Sequence, residues 1–289
     1  MEIILGKTAG FCYGVKNAVT NTENILKEQK ETYCLGELVH NGQVIKKLEN
    51  MGLKIVDNIE ESSDRIIIRA HGIPKDVYQK AKKMNINVLD YTCPKVLKIH
   101  EIAEEYANKG YYIFLFGGKK HPESIGTISF CGQNSYLIET KDEIDNAMQS
   151  FINSKIKKLL IIVQTTFSME KFVEYANIVK ENVEKDIDIE IKNTICNATK
   201  IRQEETEKIS KAVDCMIIIG GRNSSNTKKL YDIAKENCIN SFIIETKDEL
   251  NINQIETFEK IGVMAGASTP KESIDDVINK ISKKEYVCC

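Results

Sequence analysis

The sequence lacks any long hydrophobic run. Its longest apolar stretches, such as Tyr111–Phe116 and Met216–Ile219, are far shorter than the roughly 20 residues that a membrane-spanning helix needs. A surplus of one charge is also missing, because 40 lysines and arginines nearly balance 42 aspartates and glutamates. The start of the chain, Met1–Leu5, is too short and too acidic for a signal peptide. We therefore expect a cytoplasmic protein that binds neither membranes nor nucleic acid.

The spacing Cys-x-x-Cys is absent too, so the sequence indicates neither a zinc ribbon nor a thioredoxin-type site. Nine cysteines are many for 289 residues, and their odd number excludes a fully paired disulfide framework. No nucleotide motif is complete: Gly6-Lys7-Thr8 resembles the end of a phosphate-binding loop, but the first glycine would have to be residue 1, which is Met. Any cysteines that bind a metal must therefore come from distant parts of a chain kept in a reducing compartment.

An internal repeat organises the chain. The segments Tyr136–Glu143 and Phe242–Glu249 both end in Ile-Glu-Thr-Lys-Asp-Glu, and Leu53–Glu61 is a weaker copy. Each copy predicts a short strand followed by a polar turn that opens a helix. Six further apolar segments run into polar loops, two in each repeat; they begin at Thr32, Arg65, Tyr111, Leu159, Cys215 and Ile261.

Each repeat also contains a cysteine at the start of a helical pattern. The interval from one cysteine to the next equals the interval between polar loop residues of the same repeats. The matching intervals are 81 positions for Cys12 to Cys93 and for His40 to His121, and 103 positions for Cys93 to Cys196 and for His121 to Ser224. Two such matches favour three copies of one βα module. The helix after the third cysteine is more charged than the other two.

Strands that alternate with helices predict an α/β fold with mostly parallel sheets and right-handed crossovers. We expect three pseudo-repeated α/β units in a trefoil. In parallel sheets ligands bind at the carboxyl ends of the strands, where all of the polar loops fall, so the loops and cysteines are expected to face one central site. The expected units are residues 1–92 with Cys12, 93–193 with Cys93, and 194–289 with Cys196 and the C-terminal tail.

The position of these three cysteines favours metal binding. A thiol at a helix N-terminus has a lowered pKa and is readily a thiolate. Three thiolates around one point suit an iron–sulfur cluster or zinc, and a cubane with three protein ligands leaves one iron open. The alternative is that the cysteines merely pack, as we expect for Cys34, Cys131, Cys215 and Cys238. Cys288 and Cys289 form a tail of unassigned role.

The polar loops carry the remaining candidate residues. His40, His71 and His121 each precede a helix, where backbone N–H groups bind anions. The third repeat offers Ser224, Ser225, Asn226 and Ser268 in their place. Together these residues predict a pocket for a phosphorylated substrate, although each alone is also a common capping residue.

Three other polar residues have candidate roles of their own. Glu123 is a candidate proton donor; its alternative role is a helix N-terminal acid that faces water. Thr165 ends a buried strand and can orient substrate or cap a helix. His100 lies within a helical pattern and is expected to be structural.

Short segments along nearly the whole chain resemble the 4-hydroxy-3-methylbut-2-enyl diphosphate reductase family, an enzyme family of the methylerythritol phosphate route to isoprenoids. Their number and order are specific, whereas any one alone is a weak signal. The matching segments are Gly10–Val15, Val39–Asn41, Ala70–Ile73, Thr92–Pro94, His121–Glu123, Gln164–Thr166, Asn223–Asn226 and Ala265–Ser268.

This resemblance implies a trefoil of three α/β units around a [4Fe-4S] cluster that Cys12, Cys93 and Cys196 hold. It also implies that Glu123 delivers protons, with His121 beside it, and that Thr165 helps to hold the substrate hydroxyl. The diphosphate would be bound by His40, His71, His121, Ser224, Ser225, Asn226 and Ser268. The reaction would be a reductive dehydroxylation that yields isopentenyl and dimethylallyl diphosphate, with a ferredoxin or flavodoxin as the electron donor.

Two other functions stay open from the residues alone. One is a redox or iron sensor that holds a cluster but has no substrate, and such a protein would have no affinity for diphosphates. The other is a zinc protein with three cysteine ligands, which would be colourless. The crowded anion-binding loops argue against the sensor, and the family resemblance argues against both.

Overall fold

The computed structural model describes residues 1–28, 31–62 and 64–282. Within these residues the chain forms twelve β-strands and eleven α-helices in alternation. The strands are β1 (Glu2–Leu5), β2 (Thr32–Leu35), β3 (Leu53–Val56), β4 (Arg65–Ile68), β5 (Asn87–Asp90), β6 (Tyr112–Phe116), β7 (Ser135–Ile138), β8 (Lys158–Val163), β9 (Asp188–Ile191), β10 (Cys215–Ile219), β11 (Ser241–Ile244) and β12 (Lys260–Ala265). The helices are α1 (Tyr13–Glu28), α2 (Gly42–Asn50), α3 (Lys75–Lys83), α4 (Pro94–Asn108), α5 (Pro122–Ile128), α6 (Ile144–Ser154), α7 (Met169–Asn182), α8 (Asn197–Ser210), α9 (Ser225–Asn237), α10 (Ile252–Ile255) and α11 (Lys271–Ser282).

The strands form three four-stranded sheets in which every pair is parallel. The strand orders are β3-β2-β4-β5, β7-β6-β8-β9 and β11-β10-β12-β1. Each sheet therefore has two central strands and two edge strands in the same order. The predicted α/β class with three repeated units of parallel sheet is confirmed.

The first strand of the chain completes the sheet formed by its last strands. β1 pairs with β12, and Leu5 lies opposite Val263. β1 thus occupies the edge position that β5 and β9 occupy in the other two sheets. Cys12, Cys93 and Cys196 consequently follow equivalent edge strands, and each immediately precedes a helix, as predicted.

The described part of the chain divides into two compact units. Unit 1 consists of residues 1–16, residues 39–48 and the chain from Asn197 onward, and it contains β1 and β10 to β12. Unit 2 consists of residues 17–38 and 49–196, and it contains the other two sheets. The predicted division of the chain into three units, after residues 92 and 193, stays a prediction.

The central strands carry continuous apolar sequence because both faces of each sheet are covered. Every residue of β6 and of β10 is buried. In unit 2, Phe114 is fully buried and has Phe151 of α6 in edge-to-face contact, with ring centroids 6.2 Å apart. In unit 1, Val277 of α11 packs in one cluster with Ile217 and Val263. Burial of this kind supplies most of the stabilisation of each unit.

The repeated Glu-Thr-Lys-Asp-Glu segment forms the polar turn that the sequence predicts. After β7, the Glu143 carboxylate accepts a hydrogen bond from the N–H of Glu139 at 2.8 Å. After β11, the Glu249 carboxylate accepts one from the N–H of Glu245 at 3.0 Å. These side chains satisfy backbone donors at the start of each turn.

Among the described residues no helix is long and apolar enough to cross a bilayer.

Candidate functional site

The three cysteines share one backbone contact. In each case the cysteine N–H donates to a carbonyl oxygen in the loop after the neighbouring central strand. The pairs are Cys12 with Ala267, Cys93 with Ala70 and Cys196 with Thr165, each with an N···O distance of 3.0 Å. Because the same contact recurs at the carboxyl ends of β12, β4 and β8, the cysteines occupy equivalent places in the three sheets.

Burial separates these three cysteines from the other described ones. Cys12, Cys93 and Cys196 are free thiols of intermediate exposure. Cys34, Cys131, Cys215 and Cys238 are buried. Burial raises the pKa of each of Cys34, Cys131 and Cys215 to about 12, which keeps these three protonated. Cys288 and Cys289 lie outside the described residues.

The three half-buried thiols meet the chemical demand of an iron–sulfur cluster, which takes thiolate ligands. Each lies immediately before the first residue of a helix. The thiols of Cys34, Cys131 and Cys215, by contrast, are buried and protonated. The donor set therefore fits such a cluster.

Glu123 lies in the first turn of α5 in unit 2 and is only 2% exposed. One carboxyl oxygen accepts a hydrogen bond from the Thr165 N–H at 2.6 Å, and the other accepts one from the Thr165 hydroxyl at 2.6 Å. Burial raises the pKa of Glu123 to about 7, against the opposing effect of the two hydrogen bonds. Glu123 is therefore a buried carboxyl group that gains and loses a proton near neutral pH, and it does not face water.

His121 of unit 2 lies beside Glu123 and contacts a second histidine. His121 caps α5, and its Nδ1 accepts a hydrogen bond from the N–H of Glu123 at 3.2 Å. In the neutral ring this contact assigns the hydrogen to Nε2. The ring of His71 lies edge-to-face with that of His121, with centroids 5.5 Å apart. The His121 ring is thus held beside Glu123 with a donor on its other nitrogen.

Gln164 organises the same region, although the sequence assigned it no role. Its side chain is 3% exposed, and Oε1 accepts from the Gly118 N–H at 3.0 Å and from the Ser124 hydroxyl at 3.2 Å. Its Nε2 donates to the Thr166 hydroxyl oxygen at 2.8 Å. Gln164 therefore joins the loop that leads to Glu123 to the loop that carries Thr165. A polar residue directly after the apolar strand β8 was the available signal.

The polar residues of unit 1 gather around the start of α9. Ser224 caps this helix, and its Oγ accepts from the Thr227 N–H at 3.3 Å. The Ser268 hydroxyl donates to the backbone carbonyl of His40 at 3.0 Å. Ser225 is the first residue of α9. This surface offers hydroxyls together with the N-terminal end of a helix, the combination that binds phosphate oxygens.

Asn226 is the most informative residue of this group. Its side chain is 3% exposed, and neither Oδ1 nor Nδ2 has a hydrogen-bond partner. Buried amides are almost always hydrogen-bonded, because an unsatisfied buried polar group costs about 1–3 kcal/mol. A ligand that accepts a hydrogen bond from Nδ2 would satisfy that atom. The backbone also comes close here, because a Cβ on Gly221 would lie 2.7 Å from the carbonyl oxygen of His40.

The predicted site residues thus fall into two groups. In unit 2, hydrogen bonds and ring contact link Cys196, Thr165, Glu123, His121 and His71 in series. In unit 1, the corresponding group contains Cys12, His40, Ser268 and the start of α9. The convergence of all of these residues on one cavity stays a prediction. His100, expected to be structural, is buried in α4 and stacks on Phe130 with ring centroids 4.3 Å apart.

The family model described as LytB protein matches residues 3–282. The 4-hydroxy-3-methylbut-2-enyl diphosphate reductase of Clostridioides difficile is 41% identical over 281 residues, covering 96% of this chain and 98% of the relative. The protein of the same name from Aquifex aeolicus is 39% identical over 288 residues, covering 98% and 96%.

Two solved structures are also similar. One is an (E)-4-hydroxy-3-methyl-but-2-enyl diphosphate reductase, described as the terminal enzyme of the non-mevalonate pathway; it is 39% identical, with a TM-score of 0.71 over 98% of this chain and all of that one. The other is the E-1-hydroxy-2-methyl-but-2-enyl-4-diphosphate reductase of Plasmodium falciparum, which is 30% identical, with a TM-score of 0.88 over 96% of this chain and 87% of that one. Similarity in sequence and fold over nearly the full length shows that this chain belongs to the LytB protein family.

Proposed function

We propose that this protein catalyses the reductive dehydroxylation of 4-hydroxy-3-methylbut-2-enyl diphosphate to isopentenyl and dimethylallyl diphosphate. The reaction consumes two electrons and two protons, and it releases the hydroxyl oxygen as water. It is the last step of non-mevalonate isoprenoid precursor synthesis. The observation that carries the proposal is the buried Glu123 carboxyl, held by Thr165, whose backbone carbonyl accepts from the Cys196 N–H.

Cys12, Cys93 and Cys196 are the proposed ligands of a [4Fe-4S] cluster. Their equivalent loop positions and their intermediate exposure support this choice over the buried cysteines. When bound, such a cluster supplies electrons and a Lewis-acidic iron for the substrate hydroxyl. The proposed electron donor is a small ferredoxin or flavodoxin. The cytoplasmic location of the protein stays a prediction.

Glu123 is the proposed proton donor to the leaving oxygen. A general acid works best when its pKa lies near the working pH, and burial raises the pKa of Glu123 to about 7. Thr165 donates a hydrogen bond to each carboxyl oxygen of Glu123 and so fixes the orientation of the carboxyl group that donates the proton. In this proposal the Thr165 hydroxyl also helps to hold the substrate hydroxyl, and the N–H of His121 Nε2 stabilises negative charge nearby.

The diphosphate is proposed to bind the residues that offer donors at helix starts. The unsatisfied Asn226 amide is the strongest support for an anion at the start of α9. Binding energy from the diphosphate positions the reacting carbon, so it contributes to the rate as well as to affinity. The proposed ligands are His40, His71, His121, Ser224, Ser225, Asn226 and Ser268.

The test is substrate-dependent oxidation of a reduced viologen dye by the full chain purified without oxygen, with the products separated by chromatography. Reduced dye with dimethylallyl diphosphate, which has no hydroxyl to lose, is the matched control. The proposal predicts dye oxidation and both products only with the hydroxylated substrate. A brown, cluster-loaded protein without turnover would support the sensor alternative, and a colourless protein that contains zinc would support the other.

A further inference from the structure

The loop that leads to Cys12 is the longest of the three loops that lead to the candidate ligands. The residues between the end of the edge strand and the cysteine number six before Cys12, four before Cys196 and two before Cys93. A longer loop loses more conformational entropy when it is fixed in one conformation. The Cys12 loop also contains Gly6 and Gly10, and Gly10 has a φ of +103°. This loop therefore needs more support than the other two.

The two shorter loops are closed by their own side chains. The Asp90 carboxylate accepts a hydrogen bond from the Thr92 N–H at 2.9 Å. The Asn193 side-chain oxygen accepts one from the Ile195 N–H at 3.0 Å. Both are local turns that Asp and Asn favour, and both residues lie three positions before their cysteine. Ala9 stands at that position before Cys12 and has no side-chain acceptor.

Helix α8 supplies the missing support from about 200 positions away in the sequence. The Glu205 carboxylate accepts from the Lys7 N–H at 2.8 Å, and from the N–H and hydroxyl of Thr8 at 2.9 and 2.5 Å. The Arg202 guanidinium donates twice to the Thr8 carbonyl, at 3.0 and 2.6 Å, and once to the Gly10 carbonyl at 2.8 Å. The two side chains therefore make six hydrogen bonds to the Lys7–Gly10 segment, on both its donors and its acceptors.

The position of these residues on α8 suits this role. Arg202 and Glu205 are three residues apart and so lie on the same face of the helix. Arg202 is 3% exposed, and its charge is met by two carbonyl oxygens. Burial alone would raise the pKa of Glu205, but the hydrogen bonds from Thr8 and Lys7, together with the positive charge of Arg202, lower it overall. Glu205 therefore stays ionised and accepts all three hydrogen bonds at neutral pH.

We propose that Arg202 and Glu205 are positioning residues that hold the Lys7–Gly10 segment so that the Cys12 thiolate is presented to the cluster. The inference rests on the proposed function for the cluster itself. α8 begins at Asn197, directly after Cys196, so one helix would follow the third ligand and support the loop of the first. The absence of an Asp or Asn before Cys12 is thereby compensated.

The test is Glu205→Gln in the full chain purified without oxygen. Gln has the same size but only one acceptor oxygen, so at least one loop donor faces an NH2 group. The matched control is Glu204→Gln, one position away, where the carboxylate is 62% exposed and pairs with Lys200. Thr8→Val removes one hydrogen bond, whereas Thr8→Ser keeps it, so this pair tests the same contact with less risk to folding.

Two readouts follow the loop and the cluster separately. Amide hydrogen exchange of residues 6–12 should become roughly ten-fold faster in Glu205→Gln, the factor expected for the loss of one hydrogen bond to a charged group. Exchange around Cys93 and Cys196 should not change. Iron loss to a chelator should accelerate by a similar factor, and the electron paramagnetic resonance signal of the reduced cluster should change. Thr8→Ser and Glu204→Gln should match the natural chain in both.

Three outcomes would overturn the inference. Unchanged exchange of residues 6–12 in both Glu205→Gln and Thr8→Val would show that α8 does not hold the loop. Faster exchange with unchanged iron loss and an unchanged spectrum would show a structural contact without influence on Cys12. A natural chain that carries no cluster would refute the proposed function together with the positioning role, whereas the first two outcomes leave the proposed function intact.

Discussion

Glu123→Gln is the change that isolates proton delivery from binding. Gln keeps the size of the side chain, and its single carbonyl oxygen can still accept from Thr165, but an amide is not a useful acid. General acid catalysis by a positioned group contributes about 10²–10⁴-fold to the rate, which corresponds to about 3–5 kcal/mol of transition-state stabilisation. We expect kcat to fall within that range, while KM and iron content change little.

The pH dependence of turnover tests separately whether Glu123 is the proton donor. With its pKa raised to about 7, Glu123 is about half protonated at pH 7. The protonated form is the active one, so turnover of the natural chain should fall about five-fold from pH 7 to 8 and about ten-fold for each pH unit above pH 8. This alkaline limb should be absent from the residual activity of Glu123→Gln. The assay is anaerobic dye oxidation between pH 6 and 9.

A matched control separates the role of Glu123 from a general effect of losing a carboxylate. Glu101 lies in the same unit, but its side chain is 66% exposed and pairs with Lys98 at the surface. Glu101→Gln should leave both the rate and the pH profile unchanged. Near-normal turnover of Glu123→Gln, or an alkaline limb that persists in it, would refute the assignment of Glu123 as the proton donor.

Three further predictions concern the same carboxyl group. Burial raises the pKa of Glu123 from 4.5 to about 7, so the stability that its protonated form contributes is fully present below pH 4.5 and is lost as the pH rises through 7. Glu123→Gln should therefore have a higher free energy of unfolding than the natural chain at pH 8, by at most about 3 kcal/mol. Denaturant unfolding at that pH measures the difference. Thr165→Val removes the hydroxyl that favours the carboxylate, so the alkaline limb should move to higher pH, whereas in Thr165→Ser it should not move. Gln164→Leu removes three hydrogen bonds and should lower kcat by roughly 10–100-fold with iron content unchanged. The first prediction would be contradicted by equal stability of Glu123→Gln and the natural chain at pH 8. The second would be contradicted by an unmoved alkaline limb in Thr165→Val, and the third by normal kcat in Gln164→Leu.

The sequence predicted the repeated part of this fold well. Apolar segments such as Cys215–Ile219 are buried strands, and the repeated Ile-Glu-Thr-Lys-Asp-Glu turn lies where expected after β7 and β11. These features depend on local patterns, which a single sequence displays directly. The equal intervals between cysteines and loop residues likewise correspond to equivalent places in three sheets.

Long-range pairing was not visible in the sequence. β1 joins β12 across about 258 positions, and four residues with no distinctive pattern carry no signal of that partner. The charged character of α8 made its helical pattern the weakest of the three. The structure explains this pattern, because the helix buries Arg202 against the Cys12 loop instead of presenting an apolar face. Gln164 was missed for a similar reason: two of its three partners, Gly118 and Ser124, lie 46 and 40 positions earlier in the chain.

The raised pKa of Glu123 also depends on tertiary structure. A glutamate in the first turn of a helix ordinarily faces water and is stabilised as a carboxylate by the helix dipole. The tertiary packing that buries Glu123 raises its pKa and reverses that preference, even though Thr165 donates two hydrogen bonds to the carboxyl group. The sequence could name Glu123 as a candidate, but it could not distinguish a proton donor from a solvated acid.

In the proposed function, one cluster held by three particular cysteines performs the reduction. The most direct measurement is iron content and anaerobic turnover across single Cys→Ser variants of the full chain. We predict that serine at position 12, 93 or 196 removes both the iron and the turnover. Serine in place of the buried Cys34, Cys131 or Cys215 should leave iron content and turnover near those of the natural chain. Full iron content and turnover in any of the first three variants would contradict the account.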